Sequence, residues 1–268
     1  MGIAWFVASV ALFAGIWELA WAVGWADPLL LPPPHMFLRN FTAQAKNFDT
    51  STIGSRAAPP LVAVVQTVLA TVFRVLMGLA LGFAASLLIG VLATQVRVVG
   101  RLVLPTMTLL APISAVAWLP VAIFLFGIGD APAIFLVFIG IFFIMTIATV
   151  AQINDVSRTW LDVGRTMGAS RRQMLTRVIL PAILPGLFVV LRLNLFAAWA
   201  VVLIAEAVGV GSGLGQVVLL ARNTFNSSLV FFTMTIIGIS GFLLDLGLRT
   251  VQTRLLWWQT ASQAGAAR

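Results

Sequence analysis

Long uncharged apolar runs alternate with short polar segments along the chain. Val75–Val96, Leu102–Gly129, Ala131–Asn154 and Asn223–Leu244 contain no charged residue. Two further runs carry one charge each, Met1–Ala26 around Glu18 and Val178–Ala205 around Arg192. Each run exceeds the ~18 residues that let a helix cross the hydrocarbon core of a bilayer. The pattern predicts an all-α polytopic membrane protein with about six transmembrane helices, over 3–25, 61–94, 102–127, 131–153, 178–205 and 229–250. They form one transmembrane domain, 1–268, with a cytoplasmic loop at 154–177. An outer-membrane barrel is disfavoured, because its strands alternate apolar and polar positions and these runs are continuous. The first run has Gly24-Trp25-Ala26 at its end, as a cleavable leader does, yet it lacks a basic start and is longer than a usual leader's apolar region. It is expected to be retained as a membrane helix.

Several residues give the spans individual character. Pro32, Pro33, Pro34, Pro59 and Pro60 bracket residues 27–60, and prolines lack the amide donor and fix φ. That stretch is expected to be an outer loop in extended or irregular conformation. Gly78 and Gly82 lie four apart on one helical face, a spacing that lets helix backbones approach closely. Pro105, Pro112 and Pro120 fall near one face of the third span, where each frees a backbone carbonyl. Freed carbonyls are tolerated in a membrane only beside protein or a wet cavity. The third span therefore reads either as a kinked, pore-lining helix with Ser114 and Trp118 as lining groups, or as a kinked helix that is simply packed. Gly209, Gly211, Gly213 and Gly215 alternate after the fifth span, outside any βαβ unit, and predict a flexible or tightly turned outer loop.

Composition adds the sign and place of the charge. Of the residues, 61% are hydrophobic and 9% charged, against roughly 25% charged in a soluble domain, and 16 Lys and Arg outweigh 8 Asp and Glu for a formal net charge of +8. With both termini inside, the inner segments hold ten basic residues (Arg97, Arg101, Arg158, Arg165, Arg171, Arg172, Arg177, Arg249, Arg254, Arg268). The outer ones hold four (Arg39, Lys46, Arg56, Arg222). This bias follows the positive-inside rule, so the excess orients the chain and is no nucleic-acid footprint. There is no cysteine, and His35 is the only histidine, which excludes disulfides and leaves no zinc set. The only lysine, Lys46, does not lie in a phosphate loop. Acids scattered singly offer no catalytic constellation. A membrane-embedded enzyme is disfavoured by these exclusions.

Residues 155–181 form the longest inward polar stretch. Trp160, Val163 and Met167 fall on one face of a short helix, with Arg158, Asp162, Arg165 and Thr166 around the rest. Gly168 suits the left-handed residue that ends a helix, and Ser170 with Gln173 forms a capping-box signature opening the next. A compact elbow is predicted, built either to dock a partner or to lie on headgroups with its arginines on acidic lipid.

The segment Asp162-Val163-Gly164-Arg165-Thr166-Met167-Gly168-Ala169-Ser170, followed by Val178-Ile179-Leu180-Pro181, resembles the EAA loop of binding-protein-dependent ABC importer permeases. The glycine and the Leu-Pro stand in register, while Glu-Ala-Ala is replaced by Asp162-Val163-Gly164. Over residues 28–258 the chain resembles the nitrate, sulfonate and taurine branch of that family. The resemblance runs through Leu31-Pro32-Pro33-Pro34, Phe73-Arg74-Val75, Trp118-Leu119-Pro120, Phe126-Gly127-Ile128-Gly129-Asp130, Leu191-Arg192, Ala205-Glu206, Gly213-Leu214-Gly215 and Arg254-Leu255-Leu256-Trp257. It implies a type I importer permease fold in the bacterial cytoplasmic (inner) membrane. The implied partners are a second permease copy, two cytoplasmic ATP-binding subunits that hold ATP and Mg, and a periplasmic or lipid-anchored substrate-binding protein. Membrane lipids surround the chain, and no cofactor is implied for it. Trp160, Asp162, Val163, Gly164, Arg165, Met167, Gly168, Ser170 and Arg171 are then the ATPase-coupling residues.

Ionisable groups inside spans are costly and mark function by default. Arg74 and Arg192 have two open readings. As guanidinium forks on a translocation path with Ser114, Trp118 and Glu206 they would suit a small anion of the nitrate or sulfonate kind. As structural cations they would pair with an acid such as Glu18, Glu206 or Asp245, which is the stronger reading. Glu206 reads as a gate or packing contact. The rival to an ATP-driven permease is a stand-alone secondary transporter or channel, whose inward loop would need no partner.

Overall fold

The computed structural model describes residues 3–25, 27–48 and 59–258. Arg56 and Arg268, both counted in the charge balance above, lie outside the described residues. The described chain is helical throughout and contains no strand. In order, it forms α1 (Ile3–Ala22), α2 (Pro34–Arg39), α3 (Phe41–Ala45), α4 (Pro60–Gln95), α5 (Arg97–Leu110), α6 (Leu119–Phe126), α7 (Asp130–Asn154), α8 (Arg158–Thr166), α9 (Arg171–Gln173), α10 (Leu180–Ala205), α11 (Leu214–Asn223) and α12 (Ser227–Leu255). Contacts divide it into two compact units, Met1–Thr71 with Glu206–Ser240 and Val72–Ala205 with Gly241–Arg268.

The first unit is held by aromatic rings and local polar pairs. Trp17 of α1 meets Phe37 of α2 and Phe231 of α12, with ring centroids 6.1 and 5.1 Å away. Phe41 and Phe48 both stand edge-on to Phe232. His35 Nδ1 lies 2.9 Å from a Glu18 carboxylate oxygen, so the one charge in α1 has a partner. Residues 27–48 depart from the irregular loop expected of them. Pro34 opens α2 at a first-turn position, where its missing amide proton has no helical partner to lose and its fixed φ favours the helix.

In the second unit α7 is the central post. Its Leu136, Val137, Ile141 and Met145 are buried, as are Ile183, Leu187 and Leu195 of α10, which packs along it. Helix α4 lies on α7 through its glycines. A Cβ added at Gly78 would stand 2.5 Å from Val137 Cβ, one at Gly82 2.5 Å from Ile141 Cγ1, and one at Gly90 2.6 Å from Thr149 Cγ2. All three pairs keep an offset of 59 in sequence, so α4 and α7 run in the same direction. The chain between them must therefore return from one end of α7 to the other.

That return is broken. Expected as one proline-kinked helix over 102–127, it consists of α5 and of Ala115–Phe126, bent by 98°. Pro105 stays inside α5, Pro112 lies in the break, and Pro120 sits in the first turn of α6, preceded by the 3-10 turn Ala115–Trp118. A proline at 112 has no N–H to continue the ladder and its ring crowds the preceding turn, while Pro120 occupies a position where a missing donor is harmless. The path still climbs α7 in reverse. Leu104 and Pro105 share a cleft with Val150 and Asn154, Trp118 stacks near Phe143 at 6.4 Å, and Phe126 near Phe135 at 5.3 Å. From Asn154 to Phe135 is about 28 Å at ~1.5 Å per residue, close to the ~30 Å of a hydrocarbon core. The bent pair thus has the reach of one broken crossing, which together with five continuous helices makes six candidate membrane spans among the described residues.

Candidate functional site

Between α7 and α10 the chain forms a short, tightly specified elbow. Helix α8 ends in two reciprocal backbone bonds, Ala169 N to Gly164 O at 3.0 Å and Gly168 N to Arg165 O at 2.9 Å. With Gly168 at φ 74°, this is the Schellman arrangement, which satisfies carbonyls left open at a helix end. One residue later Ser170 N donates to Gln173 Oε1 at 2.8 Å and Gln173 N donates to Ser170 Oγ at 3.3 Å, a complete capping box. The short α9 then passes through a π turn, Met174–Ile179, into α10.

Helix α8 rests on that π turn through Gly164. Gly164 is buried, and an added Cβ there would lie 2.7 Å from Met174 Cε. A side chain at this third position of the motif would make the flexible end of Met174 shift. Beside Gly164 on the helix surface stand Trp160, Val163 and Met167, which are 57%, 54% and 82% exposed. Arg158, Arg165, Arg171 and Arg172 surround them, all exposed, and Asp162 pairs with Arg165 at 3.1 Å. An unpartnered apolar strip ringed by arginines has the composition of an interface core with a polar rim. The structure brings the nine elbow residues into one exposed ridge, apart from Gly164, which sits beneath it.

Arg74, Arg192 and Glu206, the charged groups expected inside the spans, are each engaged. Arg74, with its side chain 4% exposed, donates through Nε to Asp130 Oδ1 at 2.8 Å. Arg192 and Arg249 both bind Asp245, Arg192 Nη2 to Oδ2 at 3.2 Å and Arg249 Nε to Oδ2 at 2.9 Å. Glu206 is fully buried and accepts from Gly215 N at 3.0 Å. Gly211 and Gly213 around it have φ 74° and 100°, and a Cβ at Gly213 would meet the Glu206 carboxylate. The alternating glycines are therefore a tight turn wrapped over a carboxylate. Ser114 and Trp118 both lie at the break between α5 and α6; Ser114 is exposed and Trp118 half-buried. The indole Nε1 of Trp118 has no hydrogen-bond partner among the described residues. Sequence reasoning named Asp245 as a partner for an arginine but missed Asp130, which is 56 positions from Arg74 and announced by no local period.

The chain matches the family described as the binding-protein-dependent transport system inner membrane component, over residues 82–256. It belongs to that family. The permease is 29% identical over 255 residues to the taurine transport system permease protein TauC of Escherichia coli (strain K12), covering 94% of this chain and 88% of that protein. It is 26% identical over 181 residues to the nitrate import permease protein NrtB of Leptolyngbya laminosa, covering 68% of this chain and 63% of that one. Among solved structures it resembles a chain of the inward-facing MetNI methionine ABC transporter, with a TM-score of 0.62 and 20% identity, covering 74% of this chain and 99% of that chain. The fold is thus that of an ABC importer permease, and this chain is such a transport subunit.

Proposed function

We propose that the permease works as a homodimer with two cytoplasmic ATP-binding subunits and an external binding protein, and that it passes a small oxyanion of the sulfonate or nitrate kind. The observation that carries the coupling part is the exposed strip Trp160, Val163 and Met167 on a helix fixed at its C-terminal end by Gly168. That strip seats in a groove of the ATPase. Closure of the ATPase pair moves the elbow as a rigid body, and α10, continuous with it through the π turn, carries the movement into the membrane. Rigid-body rotation is an ordinary switching mode. ATP and Mg belong to the partner subunits, and this chain binds neither.

A charged substitution in the strip tests the docking. Val163→Asp and Gly168→Asp are expected to abolish co-purification of the ATPase and ATP-dependent uptake, while the permease remains monodisperse. An ATPase still bound to both variants, with normal uptake, would sink the assignment.

The solute class draws on the relatives' taurine and nitrate and on the state of the polar groups in the spans. Arg74 and Arg192 are already engaged by carboxylates, so they serve packing and leave the solute to neutral donors. Trp118 Nε1 is a buried donor with no hydrogen-bond partner among the described residues, beside the break that carries Ser114, so movement of the break would turn it toward a solute. Trp118→Phe keeps a ring and removes the donor, and uptake of an oxyanion is expected to fall about tenfold, the worth of a hydrogen bond to a charged group. Unchanged uptake would remove Trp118 from the path.

A further inference from the structure

We propose that the cleft at the foot of the elbow is a binding site for the headgroup of an acidic phospholipid. The cleft, about 470 Å³, is lined by Trp160 of α8, Arg177 and Val178 of the π turn, Pro181, Ala182 and Pro185 of α10, and Trp258 just beyond α12. It shares Trp160 with the exposed strip on α8 but adds the π turn, the root of α10 and Trp258. Only one lining residue is charged, Arg177, and its guanidinium has no ion pair or side-chain hydrogen bond among the described residues. Two indoles face it, and the floor is made of small and proline residues at the point where α10 begins.

Each part fits one occupant. Tryptophan is enriched where a protein meets the headgroup layer, because its ring is apolar and its N–H is polar. A guanidinium presents a planar fork of donors that matches phosphate oxygens. Basic residues between helices on the cytoplasmic side recognise anionic headgroups, worth about 1 kcal/mol each near the surface. Pro181 and Pro185 lie in the first two turns of α10, so the cleft sits where this helix enters the bilayer, with apolar Val178 and Ala182 offering a start for the acyl chains. A bound lipid would wedge the elbow against the root of α10, stiffening the joint that the proposed coupling uses. The site itself depends only on the elbow facing the cytoplasm and not on ATPase docking.

The test uses the full-length permease in nanodiscs of equimolar phosphatidylcholine and phosphatidylglycerol, followed by gentle extraction and native mass spectrometry. Wild type is expected to retain phosphatidylglycerol in preference to phosphatidylcholine. Arg177→Gln is expected to lower that retention about fivefold, and Arg177→Lys to keep most of it, which separates lost charge from lost folding. Trp160→Leu combined with Trp258→Leu should lower retention without changing the thermal midpoint. Glycerol phosphate added during extraction should leave the retained lipid in place. Equal retention by wild type and Arg177→Gln overturns the proposal, as does displacement by glycerol phosphate, which would mark a free-phosphate site. Loss of ATPase binding by Arg177→Gln with lipid retention intact also overturns it, since the cleft would then receive the ATPase. Failure of Val163→Asp to release the ATPase leaves this measurement untouched.

Discussion

Asp245 is a carboxylate shared by two arginines, and the three make an unequal set. Its side chain is 6% exposed, against 34% for Arg192 and 54% for Arg249. Removing either arginine leaves the acid with the other, while removing the acid leaves two cations facing each other in an apolar helix pair. Asp245→Asn is therefore expected to lower the thermal midpoint by several degrees, more than Arg192→Gln or Arg249→Gln does, as read from unfolding of the detergent-solubilised protein. An arginine variant less stable than Asp245→Asn would contradict this balance. The Arg192 pairing was legible in the sequence because a lone charge in an apolar run demands a partner and few acids exist to supply one. The Arg74 pairing was not, since Asp130 belongs to a loop-to-helix boundary and only the parallel packing of α4 on α7 brings it alongside. Glu206 was visible as an intramembrane acid, but its partner is the backbone of a glycine turn, and backbone donors carry no signature in the sequence.

The elbow and the broken crossing are elements of opposite legibility. Every device in the elbow is local. The left-handed glycine, the Ser170 and Gln173 pair and the apolar face of α8 are each set by residues close together in sequence, so the sequence displayed them. The close seat of α8 on Met174 was hidden, because it turns on the absence of a side chain at Gly164. The break between α5 and α6 was half visible: three prolines announced interrupted hydrogen bonding, but whether a helix bends or separates depends on what α7 and α10 offer the freed segment. At this scale the capping box allows a graded test. Ser170→Ala removes the acceptor of Gln173 N and is expected to weaken the elbow by about 1 kcal/mol. Hydrogen exchange should then rise in residues 170–176 and ATP-dependent uptake should fall partially. Exchange confined to wild-type levels would mean that the π turn alone holds the segment.

For the whole molecule, six crossings and an excess of arginine in alternate loops predict which side of the membrane each loop faces. The argument is physical on both counts: the common direction of α4 and α7 requires an odd number of crossings between them, and the anionic inner leaflet and insertion machinery favour basic loops inside. The chain lacks cysteine, so single cysteines report without background. Ile128→Cys, in the 80% exposed turn between α6 and α7, is expected to react with an impermeant maleimide added outside intact cells. Met167→Cys, 82% exposed, should react only after the membrane is opened. Reaction of both from the same side would refute the broken crossing. The six-helix plan was readable because crossing a bilayer forces long apolar runs; the division of contacts into two units was not, since no change of composition marks it.

The bonds that close the elbow, from Ala169 N to Gly164 O and both ways between Ser170 and Gln173, all lie within ten residues. Its shape is thus a property of the segment and not of its surroundings. Such a part is interchangeable: the exposed positions 163 and 167 are free to vary toward a different ATPase while the bend stays the same, so partner choice and leverage can be altered separately in a graft of this segment onto another permease.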